Sequence, residues 1–143
     1  MRAEEEFCRY ATIQLSQGRT FSYIAKGQSM RPWIPSGSHV LIGPMDRASV
    51  GDIVLAITSQ GPILHRLLKV DGHQATLAGD LNAAIQICAI EELRGVALEC
   101  TLPNGTRRSL RNPLLNRLTI LAFHPIRLRK RLKISLTSSR GPR

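Results

Sequence analysis

The chain has 143 residues, 43% of them hydrophobic and only 4% aromatic, with a formal net charge of +10. That is enough chain for one domain with a mainly aliphatic core, and the composition excludes wholesale disorder. The charge is lopsided: residues 1–99 hold 9 Lys/Arg against 10 Asp/Glu, whereas residues 100–143 hold 11 Lys/Arg and no acid.

In chain order, residues 3–17 predict a helix. Phe7, Tyr10, Ala11 and Leu15 recur at helical spacing behind an acidic first turn, and Gly18 is a natural stop. The three consecutive glutamates and the missing apolar run argue against a signal peptide, and no stretch reaches a membrane span. From there to about residue 102 the text is β-rich. Short apolar or alternating runs ("FSYIAKG", "HVLIGP", "DIVLAI", "PILHRLLKV", "QATLAGD", "GVALECTL") are separated by the turn segments "PSGS", "VGD", "SQGP" and "DGH". Asp71-Gly72 marks a tight hairpin, and "PNGTR" is a further turn. Strands so short and so regularly punctuated predict a mainly β fold, a compact, coiled antiparallel sheet or barrel.

After residue 106 the character changes. "NPLLNRLTILAF" (112–123) sets Leu114, Leu115, Leu118 and Leu121 at helical spacing, with Pro113 suited to the first turn. Pro125 breaks or restarts the helix, residues 126–134 share only a loose apolar face, and residues 137–143 are expected to fray. The expected organisation is a β domain over 1–106, with its N-terminal helix, and a basic helical extension over 107–143. Such an extension fits an anionic partner or a merely solvated tail.

Few residues could carry chemistry. Cys8, Cys88 and Cys100 fit neither a CxxC site nor a disulfide framework, and read as ordinary thiols of a reducing compartment. No metal or cofactor motif is present, and none is expected. Ser29 lies in "KGQSMRPWIPSG", where a strand ends among glycines and prolines. A serine needs a base to accept its proton. His65 sits inside the apolar strand "PILHRLLKV", His39 opens a strand, His73 is in a hairpin turn and His124 lies in the basic tail. Asp80 follows Gly79 at a strand end. Taken singly, each is ordinary core, turn or surface text.

Taken in order they are not ordinary. "GQSMRPWIPSGSHVLIGP", "VGDIVLAI", "LHRLLKV", "LAGDLNAA" and "RGVALE" follow one another over about residues 21–100. The series resembles the signal peptidase I-like serine proteases, most closely their histidine-using ER/archaeal type. The resemblance implies the coiled β fold of signal peptidases and self-cleaving repressors. It implies Ser29 as nucleophile and His65 as general base, where lysine-using relatives have text like "KRV". Neutral imidazole suits a base at pH 7. Lys69 would lie on the same face as His65 but roughly 13 Å along the strand, and is set aside.

Two positions depart from the pattern. Gln86 stands where a second acid is usual, leaving Asp80 to orient His65 or leaving a Ser–His dyad. Gly27 stands where many relatives have serine, so the oxyanion hole would rest on backbone N–H groups, chiefly that of Ser29, with Gln28 assisting. The resemblance further implies a substrate added as an extended strand, with small side chains near the cut. The cleft would be lined by the strand before Ser29 and by residues 52–57, Ile53 and Val54 among them. Met30, Trp33 and Ile34 would form an apolar lip or simply pack in the core.

The function expected is therefore a serine endopeptidase, soluble or peripheral to the membrane on the cytoplasmic side, that removes a leader or signal-like segment. Its basic C-terminal helix would dock on anionic lipid by its apolar face. An inactive peptide-binding module of the same fold is the second reading. A nucleic-acid binder using residues 100–143 is the third, and it explains nothing in 21–100.

Overall fold

A computed structural model of the chain describes residues 2–27, 29–81 and 85–123. The readings made for residues 124–143, His124 and Pro125 among them, and for Gln28 lie outside the described residues. Helix α1 (Arg2–Ser16) is followed by strands β1 (Phe21–Ile24), β2 (His39–Pro44), β3 (Ile53–Thr58), β4 (Gly61–Asp71), β5 (Gln74–Ala78), β6 (Ile85–Ala89), β7 (Leu93–Thr101) and β8 (Arg107–Ser109), and then by helix α2 (Pro113–Phe123). The mainly β expectation holds. The sheet runs β1-β2-β7-β3-β4-β5-β6 with β8 on β7, and every pairing is antiparallel. Register shifts at Leu41/Ile42, Leu55/Ala56 and Leu67/Lys69 break the ladders. Irregularities of this kind bend and twist strands, and the sheet curls into a half-barrel.

Alternation along the strands divides the core in two. Ile53 and Leu55 of β3 pack with Ala11 and Leu15 of α1, Phe21, Met30, Ile34, Val40, Ile42 and Ala97. Val54 and Ala56, their neighbours in sequence, pack on the other face with Leu67, Ala75 and Leu77. Phe7 and Tyr10 of α1 set ring edges against Phe21, with centroids 5.9 and 5.8 Å apart, which fixes the helix on the sheet. Cys88 and Cys100 are buried and Cys8 is half-buried, all three as free thiols. Burial raises each above the ordinary thiol value, so they are poor nucleophiles near neutral pH.

The organisation after residue 106 differs from the expected boundary. Arg107–Ser109 pair with β7, and Leu110 enters the first core at 4% exposure, so a cut at 106 would pass through the sheet. Helix α2 is also unusual. It buries Asn116 and Thr119 while Leu114, Leu115, Leu118 and Leu121 stay exposed. The inward polar residues serve a buried network described below.

Leu110 gives a direct check on where the domain ends. Leu110→Ala is expected to lower unfolding stability by about 2–5 kcal/mol, as for a core leucine. A change within about 0.5 kcal/mol in denaturant melts, the usual range for surface positions, would mean that 107–110 is only loosely attached.

Candidate active site

Ser29 sits in a loop whose base is closed by two backbone hydrogen bonds. The N–H of Ala25 donates to the carbonyl of Ser38 at 2.9 Å, and that of Gly37 to the carbonyl of Ala25 at 2.8 Å. Gly27 has φ +86°, in the left-handed region, so the chain turns sharply two residues before the serine. Beyond it the Ile34 N–H reaches the Met30 carbonyl at 2.9 Å, one compact turn that carries Met30 and Ile34 into the core. The Ser29 carbonyl accepts from the N–H of Leu81 at 2.9 Å. That approach requires glycine at 79, where an added Cβ would lie 2.6 Å from the Ser29 carbonyl oxygen.

The hydroxyl of Ser29 lies 3.1 Å from Nε2 of His65 on β4. Nδ1 of the same ring lies 2.7 Å from Oε1 of Gln86 on β6. A carbonyl oxygen can only accept, so Nδ1 carries the proton and donates to Gln86. Nε2 is then the unprotonated nitrogen, and the Ser29 hydroxyl donates to it. Burial lowers the pKa of His65 below the ordinary imidazole value, opposed by the Gln86 hydrogen bond and by the negative charge of Asp80. A ring neutral at pH 7 is the form that can accept a proton from serine.

Asp80 does not occupy the place expected of it. Its Oδ1 accepts from Nε of Arg66 at 2.8 Å and its Oδ2 from Nη2 at 2.7 Å, a bidentate buried pair. The reason is strand alternation: His65 and Arg66 are successive residues of β4 and point to opposite faces. Asp80 meets the arginine face and acts on His65 through its field, while the hydrogen bond to Nδ1 belongs to Gln86. Arg66 also donates through Nη1 to the carbonyl of Gly51 at 2.7 Å and to Oδ1 of Asn116 at 3.1 Å. The Asn116 amide donates in turn to Asp52 Oδ1 at 3.3 Å and to the Leu110 carbonyl at 3.1 Å. Asp52 also faces Arg111 at 3.3 Å and accepts from the Ser49 N–H at 2.8 Å.

A cavity of ≈ 180 Å³ opens beside the serine, between Tyr23, Ala25 and Gly27 on one side and Pro62, Ile63 and His65 on the other. Met30 and Ile34 line it while also belonging to the core. Trp33 faces elsewhere, toward α2. Ile53 and Val54 were expected in the cleft. They are instead core residues at 1% and 0% exposure, one in each cluster, because adjacent strand residues diverge. Gly27 is at the cavity. His39 and His73 are exposed and lie outside its lining. Lys69, set aside above, is 3.9 Å from Asp71. Sequence reasoning did not assign Arg66, Asn116 or the acceptor role of Gln86. The available signal was the pair "HR" inside an apolar strand: two buried polar neighbours on opposite faces need two separate sets of partners.

The fold and the serine-bearing loop against a strand define a curled β half-barrel class. The chain belongs to the Peptidase S24-like family, whose model matches residues 2–99. No curated protein and no solved structure matches it. The family includes serine peptidases and self-cleaving repressors, as well as members without catalysis. Among the described residues no helix is long and apolar enough to cross a membrane, and no three His, Cys, Asp or Glu side chains gather as a metal site.

The buried pair yields a test by difference. Removing one partner strands the other charge, so Asp80→Asn and Arg66→Met should each cost about 3–5 kcal/mol in denaturant melts. The double replacement should cost less than the two single costs summed. Strict additivity would show that the two side chains do not interact.

Proposed function

We propose that the protein is a serine endopeptidase in which Ser29 is the nucleophile, His65 the general base and Gln86 the group that fixes the tautomer of His65. The observation that carries this reading is the continuous line from the Ser29 hydroxyl through Nε2 and Nδ1 to the Gln86 carbonyl, at 3.1 and 2.7 Å. As Ser29 attacks a peptide carbonyl, its proton passes to Nε2, and the resulting imidazolium later gives it to the leaving amine. Gln86 holds the ring throughout by accepting from Nδ1. It carries no charge, so the imidazolium is supported by an amide dipole and by the more distant Asp80, and the base strength of His65 stays lower than beside a carboxylate. The backbone N–H of Ser29, turned by Gly27, is the donor assigned to the oxyanion. This arrangement favours the histidine-using type over the lysine-using one.

The substrate proposed is an extended peptide segment of a precursor. Among the described strands, β5 pairs with β4 only from Arg66 onward. Residues 61–65 are bonded to β3 alone, which leaves their other edge open beside the cavity. A peptide laid there would gain main-chain hydrogen bonds, with Ile63 and Met30 beside its side chains. An inactive peptide-binding module would use the same edge, but the Ser29–His65 contact gives it no advantage.

A randomised peptide library read by mass spectrometry tests the reading. Wild type should cut a subset of sequences and Ser29→Ala none; binding of the same peptides without any Ser29-dependent cut would favour the inactive module. With a peptide that is cut, kcat/KM should rise with pH through a pKa below the ordinary value for imidazole and be flat by neutral pH. The sign follows from His65: protonation removes the base, and burial shifts that loss to lower pH. Gln86→Glu should move the acid limb to higher pH, because a carboxylate at Nδ1 favours the imidazolium. Gln86→Leu should lower kcat about 10- to 100-fold, the loss of a hydrogen bond that becomes charge-assisted in the transition state.

A further inference from the structure

Helix α2 is built the wrong way round for a helix whose only task is to close a core. Asn116 and Thr119, three residues apart, face inward at 8% and 3% exposure, while Leu114, Leu115, Leu118 and Leu121 stand 67%, 41%, 50% and 67% exposed. Leu114, Leu118 and Leu121 follow the i, i+4, i+7 spacing of one helix stripe. The inward face is held firmly. Asn116 bonds to Arg66, Asp52 and the Leu110 carbonyl, and Gly51, at φ +103°, lets the loop approach until an added Cβ would sit 3.3 Å from the Asn116 side chain. Rotation of the helix to bury its leucines would therefore break a buried charge network. The apolar stripe is a fixed outward face.

Single exposed leucines are unremarkable on a protein surface, but four on one short helix form a patch of the kind that marks an interaction site. The charge around it selects the occupant. Arg117 is exposed on the same helix, and Arg111, two residues before its start, faces Asp52 at 3.3 Å. Residues 100–123 hold Arg107, Arg108, Arg111 and Arg117 and no acid. An open groove of ≈ 680 Å³ between Trp33 and Leu115 adds Arg108 and Arg111 at its border. A surface that offers aliphatic side chains beside Arg108, Arg111 and Arg117 complements acyl chains beneath anionic headgroups. A nucleic-acid backbone would use the arginines and leave the leucines wet. A second copy would bring like charges together around the leucine stripe.

We infer that α2 is a membrane-surface docking element that seats Leu114, Leu118 and Leu121 in the interface of an anionic bilayer, with Arg117 on the headgroups. The inference is independent of the peptidase reading. It rests on the leucine face and the charge around it, not on Ser29 or His65.

Sedimentation of the full-length chain with vesicles tests it. Wild type should co-sediment with vesicles of mixed phosphatidylglycerol and phosphatidylcholine, bind phosphatidylcholine alone far less, and be partly released by high salt. Leu114→Ser/Leu118→Ser/Leu121→Ser should weaken partition into the mixed vesicles by about tenfold or more, since the apolar contribution is lost while the charge is kept. The replaced side chains are exposed, so circular dichroism and the melt should match wild type. If the triple variant does not fold, Leu114→Gln alone, which also keeps the charge, must show the same direction of change. Triple-variant binding equal to wild type would overturn the inference, because the basic residues alone would then suffice. It would be overturned equally by wild type left in the supernatant, or by a wild-type dimer that the same substitutions turn into a monomer without any effect on vesicles.

Discussion

The bidentate contact between Arg66 and Asp80 is the constraint from which the rest of the candidate site is organised. A guanidinium cannot shed its proton in a protein, so an arginine at 1% exposure must find acceptors for its N–H groups. It finds them in the Asp80 carboxylate, the Gly51 carbonyl and the Asn116 amide oxygen. All three lie outside the regular strand ladders, in two connecting segments and on α2. The buried charge thus gathers pieces that strand pairing alone would leave unplaced. With Asp80 anchored, Gly79 lies against the backbone of Ser29 and Leu81 holds its carbonyl. Such pairs contribute little net stability once desolvation is counted. The role of the pair is geometric: the loop that presents the serine is located from the face of β4 opposite His65.

That division of labour along β4 explains how one strand supplies two environments. His65 faces a cavity, a hydroxyl and a neutral amide, and burial keeps its ring uncharged. Arg66, one residue on, faces a carboxylate and stays charged. Between them the side-chain period of two separates a site suited to proton transfer from a structural ion pair. Gln86 matters because it accepts a hydrogen bond without adding charge. It sets the tautomer, as an acid in that position would, yet leaves the imidazole a weaker base.

Much of this was legible in the residues. The turn pairs and alternating runs between 18 and 102 mark nearly every strand, because each turn type demands its own residues. The "SM-P" and "LHR" boxes mark Ser29 and His65, which the fold brings to 3.1 Å. The partner of Nδ1 was not legible. Sequence order suggested Asp80, the nearest acid, but which residue meets His65 depends on the face to which each strand residue points, and the register shift at Leu67/Lys69 is not written in composition. For the same reason Ile53 and Val54 belong to the two cores and not to the cleft. The leucine spacing of α2 was readable. That its polar side would be the buried one was not, since Asn116 has meaning only once Arg66 is known to lie beneath it.

The proposed chemistry requires His65 to be a neutral base whose proton is held on Nδ1 by Gln86. Long-range ¹H–¹⁵N correlation spectra of the imidazole nitrogens measure this directly, without a substrate. At pH 7 His65 should be neutral with the proton on Nδ1 and should titrate below the ordinary imidazole value, and Gln86→Leu should erode the tautomer preference. A ring protonated on Nε2, or one still charged at pH 7, would contradict that chemistry.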